Sequence, residues 1–301
     1  MTDPALVLVQ GKFCASARQS CSLKQIRPRA DTLPALTEIT SMKLKRRIFI
    51  AWAASTALAV PAQVSDLNDA INKAGRLRML SQRMAKAYLC LGQQVQIPAA
   101  TKALDQSLAL FDRQLTELKA FSPAGPLRET YVSLESEWSA FKTLLVGSVP
   151  ASLKAGELLA QDARVLALAH KGTGQLEQLS GKPVGKLVNV AGRQRMLSQR
   201  MAKYYLATAW NIDPATSTAE LGKARTEFVA ALEILRNAPE ANNEIKQELA
   251  LADAQWIIFD NVLKTRPSVG GRGASDVFTT SENLLQVMDK VTGLYARINR
   301  A

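Results

Sequence analysis

The side chains best suited to nucleophilic or metal chemistry are scarce in this chain of 301 residues. There is one histidine, His170, and three cysteines, Cys14, Cys21 and Cys90. One histidine cannot build a multi-histidine zinc site, and it makes Ser/His or Cys/His catalysis a poor reading. Three cysteines do not make a disulfide scaffold. Gly270-Gly271-Arg272-Gly273 is glycine-rich, but it follows Pro267 with no strand pattern before it, so it reads as a flexible loop rather than a nucleotide site. No paired acids stand in a motif. The chain therefore reads as a non-enzyme that takes no cofactor. His170 lies near Gly172 and Gly174 and is expected at a helix end, where a cation is mildly favoured. Cys90 reads as a small buried apolar residue.

What remains is cationic. Lys plus Arg is 38 against 26 for Asp plus Glu, a formal net charge of +12. Part of that charge sits in an internal repeat. Ala74-Gly75-Arg76-Leu77-Arg78-Met79-Leu80-Ser81-Gln82-Arg83-Met84-Ala85-Lys86-Ala87-Tyr88-Leu89 recurs at Ala191–Leu206 with 14 of 16 positions identical. The copies differ at Leu77/Gln194 and at Ala87/Tyr204. At about 100° per residue, Leu77, Leu80, Met84 and Tyr88 form a core arc. Asn72, Arg76, Met79, Arg83 and Lys86 form the opposite arc, which reads as a solvated basic face. Arg78 belongs to neither arc. Its helical neighbours are Ala74, Gly75, Ser81, Gln82 and Ala85, mostly small, so it is expected in a helix–helix seam. Arg195 has the same setting among Ala191, Gly192, Ser198, Gln199 and Ala202. A buried guanidinium needs a partner. No acid lies between Lys73 and Leu89 or between Lys186 and Leu206. An acid from another helix would serve. So would a planar oxyanion, which matches the paired donors of guanidinium.

The segment Ile71-Asn72-Lys73-Ala74-Gly75-x-Leu77-Arg78-Met79 resembles the P-box of NarX-type nitrate/nitrite sensor domains. Ala191–Met201 resembles the related PilJ-type domain of type IV pilus chemotaxis transducers. The resemblance covers about residues 64–300. It implies a four-helix unit opening on the P-box helix, with nitrate or nitrite contacted by Arg78 and, through the repeat, by Arg195. It brings Lys73, Gly75, Ser81, Gly192 and Ser198 in as supporting residues. Val190 stands where the second copy would need the P-box lysine, which weakens the second site. Sensors of these families continue into a membrane helix and a signalling module. This chain stops at Ala301, and the expectation is a sensor-like module without its own output.

The elements that would position these residues follow from proline. Pro98, Pro123, Pro126, Pro150, Pro183, Pro214, Pro239 and Pro267 make seven breaks after residue 62, since Pro123 and Pro126 share one gap, and seven breaks separate eight segments. Apolar residues recur at three and four, as in Leu104, Leu108, Phe111, Leu115 and Leu118. Ser217-x-x-Glu220 fits a capping box. Trp138 and Phe141 are answered by Trp256 and Phe259. The expected fold is all-α, two tandem four-helix units forming antiparallel bundles over 63–180 and 181–301.

Residues 42–62 read as a cleaved signal peptide: a basic stretch Met42–Arg47, the apolar run Ile48–Val60, then Val60-x-Ala62. The run is too short for a bilayer. Lys45-Arg46-Arg47 leaves Sec and twin-arginine export both open. Residues 1–41 read as an over-extended start or a disordered leader. Without residues 1–62 the chain carries 29 basic and 23 acidic residues, a net charge of +6, which is no nucleic-acid footprint. The expected protein is periplasmic, with no membrane span after cleavage. Two functions fit: binding a small oxyanion such as nitrate or nitrite, or docking a membrane transducer or pilus component without a ligand. Homodimer and monomer, and side-by-side or end-to-end repeats, are left open.

Overall fold

The structure, a computed structural model, describes residues 63–122 and 124–298. The expected signal peptide and leader, residues 1–62, lie outside the described residues. Eight helices follow in order: α1 (Leu67–Gly92), α2 (Ile97–Phe121), α3 (Pro126–Val146), α4 (Ser152–Ser180), α5 (Pro183–Ala209), α6 (Pro214–Arg236), α7 (Asn243–Leu263) and α8 (Arg272–Arg297). The fold is all-α, as the proline punctuation predicts. Pro98, Pro126, Pro183 and Pro214 occupy the first turns of α2, α3, α5 and α6, where the missing N–H costs no helical bond. The α6 cap departs from expectation. Asp213 accepts from the Thr216 N–H, while Ser217 lies inside the helix and donates to the Ile212 carbonyl. The glycine-rich segment also differs: Gly271 caps α8, and Arg272 and Gly273 are already helical.

The two copies of the repeat build equivalent units. α1 packs on α2 and α4, and α3 on α4; α5 packs on α6 and α8, and α7 on α8. The chain leaves α1 and α5 by the same tight turn, with positive φ at Gln94 (58°) and Gln96 (46°) and again at Asn211 (58°) and Asp213 (38°). Four non-glycine residues in the left-handed region at matching positions mark a backbone path the duplication has kept. Phe111 stacks on Trp138 at 4.1 Å, and Phe228 on Trp256 at 4.6 Å.

The most extensive helix pairing joins the copies: α1 lies against α5. They run parallel. Arg195, at the middle of α5, donates to the carbonyl of Asn72 in the first half of α1 (3.0 Å), and further along both helices Gln93, which follows α1, donates to the Leu206 carbonyl near the end of α5 (3.0 Å). The repeats therefore stand side by side about a pseudo-twofold axis. The core arc of the repeated helix is as expected: Leu77, Leu80, Met84 and Tyr88 are fully buried. The opposite arc is not the solvated face the periodicity suggests. Met79 and Lys86 are buried, and Arg76 and Arg83 are half-buried, because α8 lays Asp289 and Glu282 against them. A single-helix projection cannot foresee a covering helix from the other repeat.

Candidate functional site

Arg78 and Arg195 both lie in the seam, fully buried. Glycine makes room for them. A Cβ at Gly75 would stand 3.2 Å from Arg78 Nη2, 3.5 Å from Arg195 Nη2 and 3.9 Å from the Gly192 Cα; a Cβ at Gly192 would meet the same pair at 3.7 and 3.2 Å. Each guanidinium reaches across to the other repeat. Arg78 Nη2 donates to Asn189 Oδ1 at 2.7 Å and also reaches the Asn189 carbonyl, while Arg195 Nη2 donates to the Asn72 carbonyl. Asn72 and Asn189 are equivalent positions of the repeat. Ser81 and Ser198 play matched parts below: each hydroxyl donates to its arginine's own carbonyl and receives from Gln82 or Gln199.

The copies diverge at the next contact. Arg195 Nη1 pairs with Asp289 of α8, which also takes Arg76 at 3.0 Å. Arg78 Nη1 faces instead Nδ1 of His170 in α4, at 3.3 Å. His170 and Asp289 are counterparts at the α4 and α8 positions that Thr173 and Thr292 also match, each threonine donating to the carbonyl four residues back. Among the described residues no carboxylate lies within ion-pair distance of Arg78, while Nε meets no acceptor in either arginine. Burial lowers Arg78 to about 9, and Arg193 and Arg195 push the same way. Burial lowers Arg195 too, but Asp289 opposes it and the value stays at about 10. The nearby Glu177 acts on Arg78 only at a distance, since its carboxylate holds the Asn189 amide. His170 is lowered by burial and then by Arg78 and Arg193, so it faces the guanidinium as a neutral acceptor.

Lys73 points away from the seam. Its ammonium sits 2.7 Å from Glu117 on α2 and 3.3 Å from Asp69. Gln194, which stands where the first copy has Leu77, is buried and donates to the Phe228 carbonyl at 2.8 Å. Cys90 is buried, and burial raises its thiol to about 12. His170 is a correction: it lies in mid-α4, not at a helix end. Sequence reasoning missed His170, Asn189 and Asp289 as neighbours of the arginines. The signal was present, since sliding α4 onto α8 by 119 residues aligns Asp162 with Ser281, His170 with Asp289 and Thr173 with Thr292. Among the described residues there is no cluster of His, Cys, Asp and Glu that would hold a metal, and no helix long and apolar enough to cross a membrane.

The seam is thus a duplicated, glycine-spaced arginine pair held between two parallel helices, with one guanidinium left on neutral partners. Comparison with curated proteins and with solved structures finds no match. The family model described as "Type IV pili methyl-accepting chemotaxis transducer N-term" matches twice in tandem, over residues 60–170 and 175–265. Those two stretches cover most of the chain, each includes one copy of the arginine helix, and the chain belongs to this PilJ family of transducer N-terminal domains.

Proposed function

We propose that the chain is a periplasmic sensor-like module that binds a small oxyanion, such as nitrate or nitrite, at Arg78. The observation that carries this reading is the asymmetry of the arginine pair. Nε is unused in both arginines, but Arg195 already has a carboxylate, whereas Arg78, equally buried, has only neutral His170 and Asn189. A buried guanidinium on neutral acceptors gains most from an added anion. The oxyanion would take Nε and Nη of Arg78 as paired donors, with His170 and Asn189 giving way. Membership in a transducer family supports the sensory part of the reading. Arg195 then serves as the structural half of the pair. This keeps the first of the two expected binding arginines and drops the second, the one already weakened by Val190.

The test is thermal unfolding of the full chain in nitrate, nitrite and chloride at equal ionic strength. At 100 times its dissociation constant a ligand adds about 2.7 kcal/mol, a rise of roughly 5–11 °C for a domain of this size. Arg78→Ala abolishes the rise and Arg78→Lys loses most of it, because a point charge does not offer paired donors. No rise beyond that in chloride overturns the reading for these ions, and the docking of a transducer or pilus component takes its place.

A further inference from the structure

The pseudo-twofold axis generates two matching grooves, one between α4 and α5 and one between α8 and α1. Four cations recur in both. Arg193, Arg200, Lys203 and Arg78 line the first. Their counterparts Arg76, Arg83, Lys86 and Arg195 stand at the second. In the α8/α1 groove the charge is neutralised from within. Glu282 takes Arg83 and Lys86, and Asp289 takes Arg76 and Arg195.

The α4/α5 groove has lost both acids. Ala163 stands at the place of Glu282, and His170 at the place of Asp289. The nearest α4 acid has moved by one residue to Asp162. One residue is about 100° of helix, and the move takes the carboxylate off the groove wall into the interior. There Asp162 is fully buried and accepts from Lys203 at 2.6 Å and from Gln82 at 2.7 and 2.9 Å. Arg193 and Arg200 are held from behind by Glu227 and Glu220 of α6. Nε of Arg193 is buried and meets no acceptor. Among the described residues no carboxylate lines the groove.

The groove encloses about 280 Å³, far more than a nitrate ion fills. Its charge is divided. Arg193 and, beneath it, Arg78 stand at one end, beside the neutral His170. Arg200 stands at the other, seven residues along α5 and so about 10 Å away. Between the ends the wall is apolar, formed by Leu166, Ala167 and Met196. Tyr204 closes the Arg200 end, its ring 5.5 Å from that guanidinium. It is one of two residues by which the repeated segments differ; the other copy has Ala87.

We infer that the α4/α5 groove binds an organic dianion, a short linear dicarboxylate whose two acid groups bridge Arg193 and Arg200 over the apolar wall. The inference shares Arg78 with the oxyanion reading but rests on Arg193, Arg200 and the missing groove acids. The two can therefore fail separately.

The test is calorimetric titration of the full chain with linear dicarboxylates from malonate to azelate, with monocarboxylates of equal length, and with nitrate, at constant ionic strength. The best dicarboxylate should bind about tenfold more tightly than its monocarboxylate, the worth of a second charge-assisted contact. Arg200→Ala should erase that difference. Ala163→Glu restores the acid found in the other groove at an exposed position. That variant folds without core disturbance, and it should erase the difference while leaving any nitrate response at Arg78. Dicarboxylates no tighter than monocarboxylates, or an affinity untouched by Ala163→Glu, overturns the inference whatever nitrate does. A nitrate response lost in Arg78→Ala but kept in Arg200→Ala, with no dicarboxylate binding, upholds the oxyanion reading alone.

Discussion

His170 and Asp289 occupy equivalent places in the two repeats, and each faces Nη1 of its own repeat's buried arginine, one as a neutral ring and the other as a carboxylate. That single difference separates a guanidinium with an internal counterion from one without. The stability and the binding of the protein should both register it.

Replacing each arginine with methionine should give unequal losses. Arg195→Met strips Asp289 of its buried partner, though Arg76 remains. Arg78→Met removes a buried cation that has no carboxylate, and it leaves only neutral acceptors behind. Arg195→Met should cost about 2 kcal/mol more than Arg78→Met, less than a fully buried pair would because Asp289 is partly exposed. Urea unfolding of the two variants measures the difference. Equal losses would mean that Asp289 contributes nothing through Arg195.

His170→Asp should make the two repeats alike. Arg78 would gain the carboxylate that Arg195 already has, and the free protein should be more stable by about 1 kcal/mol, or about 2–4 °C in Tm. The same variant should lose its response to nitrate or nitrite, since the internal acid competes for the same donors. A variant that is more stable and still responds would place the anion elsewhere.

Gly75→Val should disturb both guanidiniums together. A Cβ there already stands 3.2 Å from Arg78 Nη2 and 3.5 Å from Arg195 Nη2, with the Gly192 Cα of α5 at 3.9 Å, so further methyls crowd the same seam. Overpacking of this kind costs about 1–3 kcal/mol. Gly174→Val, at a helical glycine with open space around it, should cost less. Thermal melts of the pair separate the close approach from the helix propensity of valine.

Acid should weaken the fold through α8. Burial alone would raise Asp289, but Arg195 and Arg76 more than reverse it and hold it at about 2, against an ordinary 3.8. Burial likewise would raise Glu282, yet Lys86 and Arg83 bring it to about 2, against 4.5. Both folded values lie below the unfolded ones. Their contribution is therefore present above about pH 4.5 and is lost as pH falls toward 2. Unfolding free energy measured across that window should fall more steeply for the natural chain than for Asp289→Asn with Glu282→Gln.

Much of this architecture is written locally. Proline at first turns and a three-four apolar rhythm carry the eight helices, because both are properties of one helix at a time. The seam position of Arg78 is local too, since Ala74, Gly75, Ser81 and Ala85 on its own helix make the close approach. The partners are not local. Asp289 lies 94 residues beyond Arg195, and His170 lies 92 beyond Arg78. Whether Arg76 and Arg83 meet water or acid depends on α8, a helix of the other repeat. Nothing within residues 67–92 records that α8 will cover them.

The pairing of α1 with α5 within one chain changes what dilution can do. A seam between two separate molecules comes apart once their concentration falls below the dissociation constant. Here the halves are tethered through α2, α3 and α4, and each meets the other at a fixed effective concentration. The arginine pair is therefore assembled in every folded molecule, however few there are. One tether also keeps the halves in equal number, so one of them is free to keep its acids while the other gives them up.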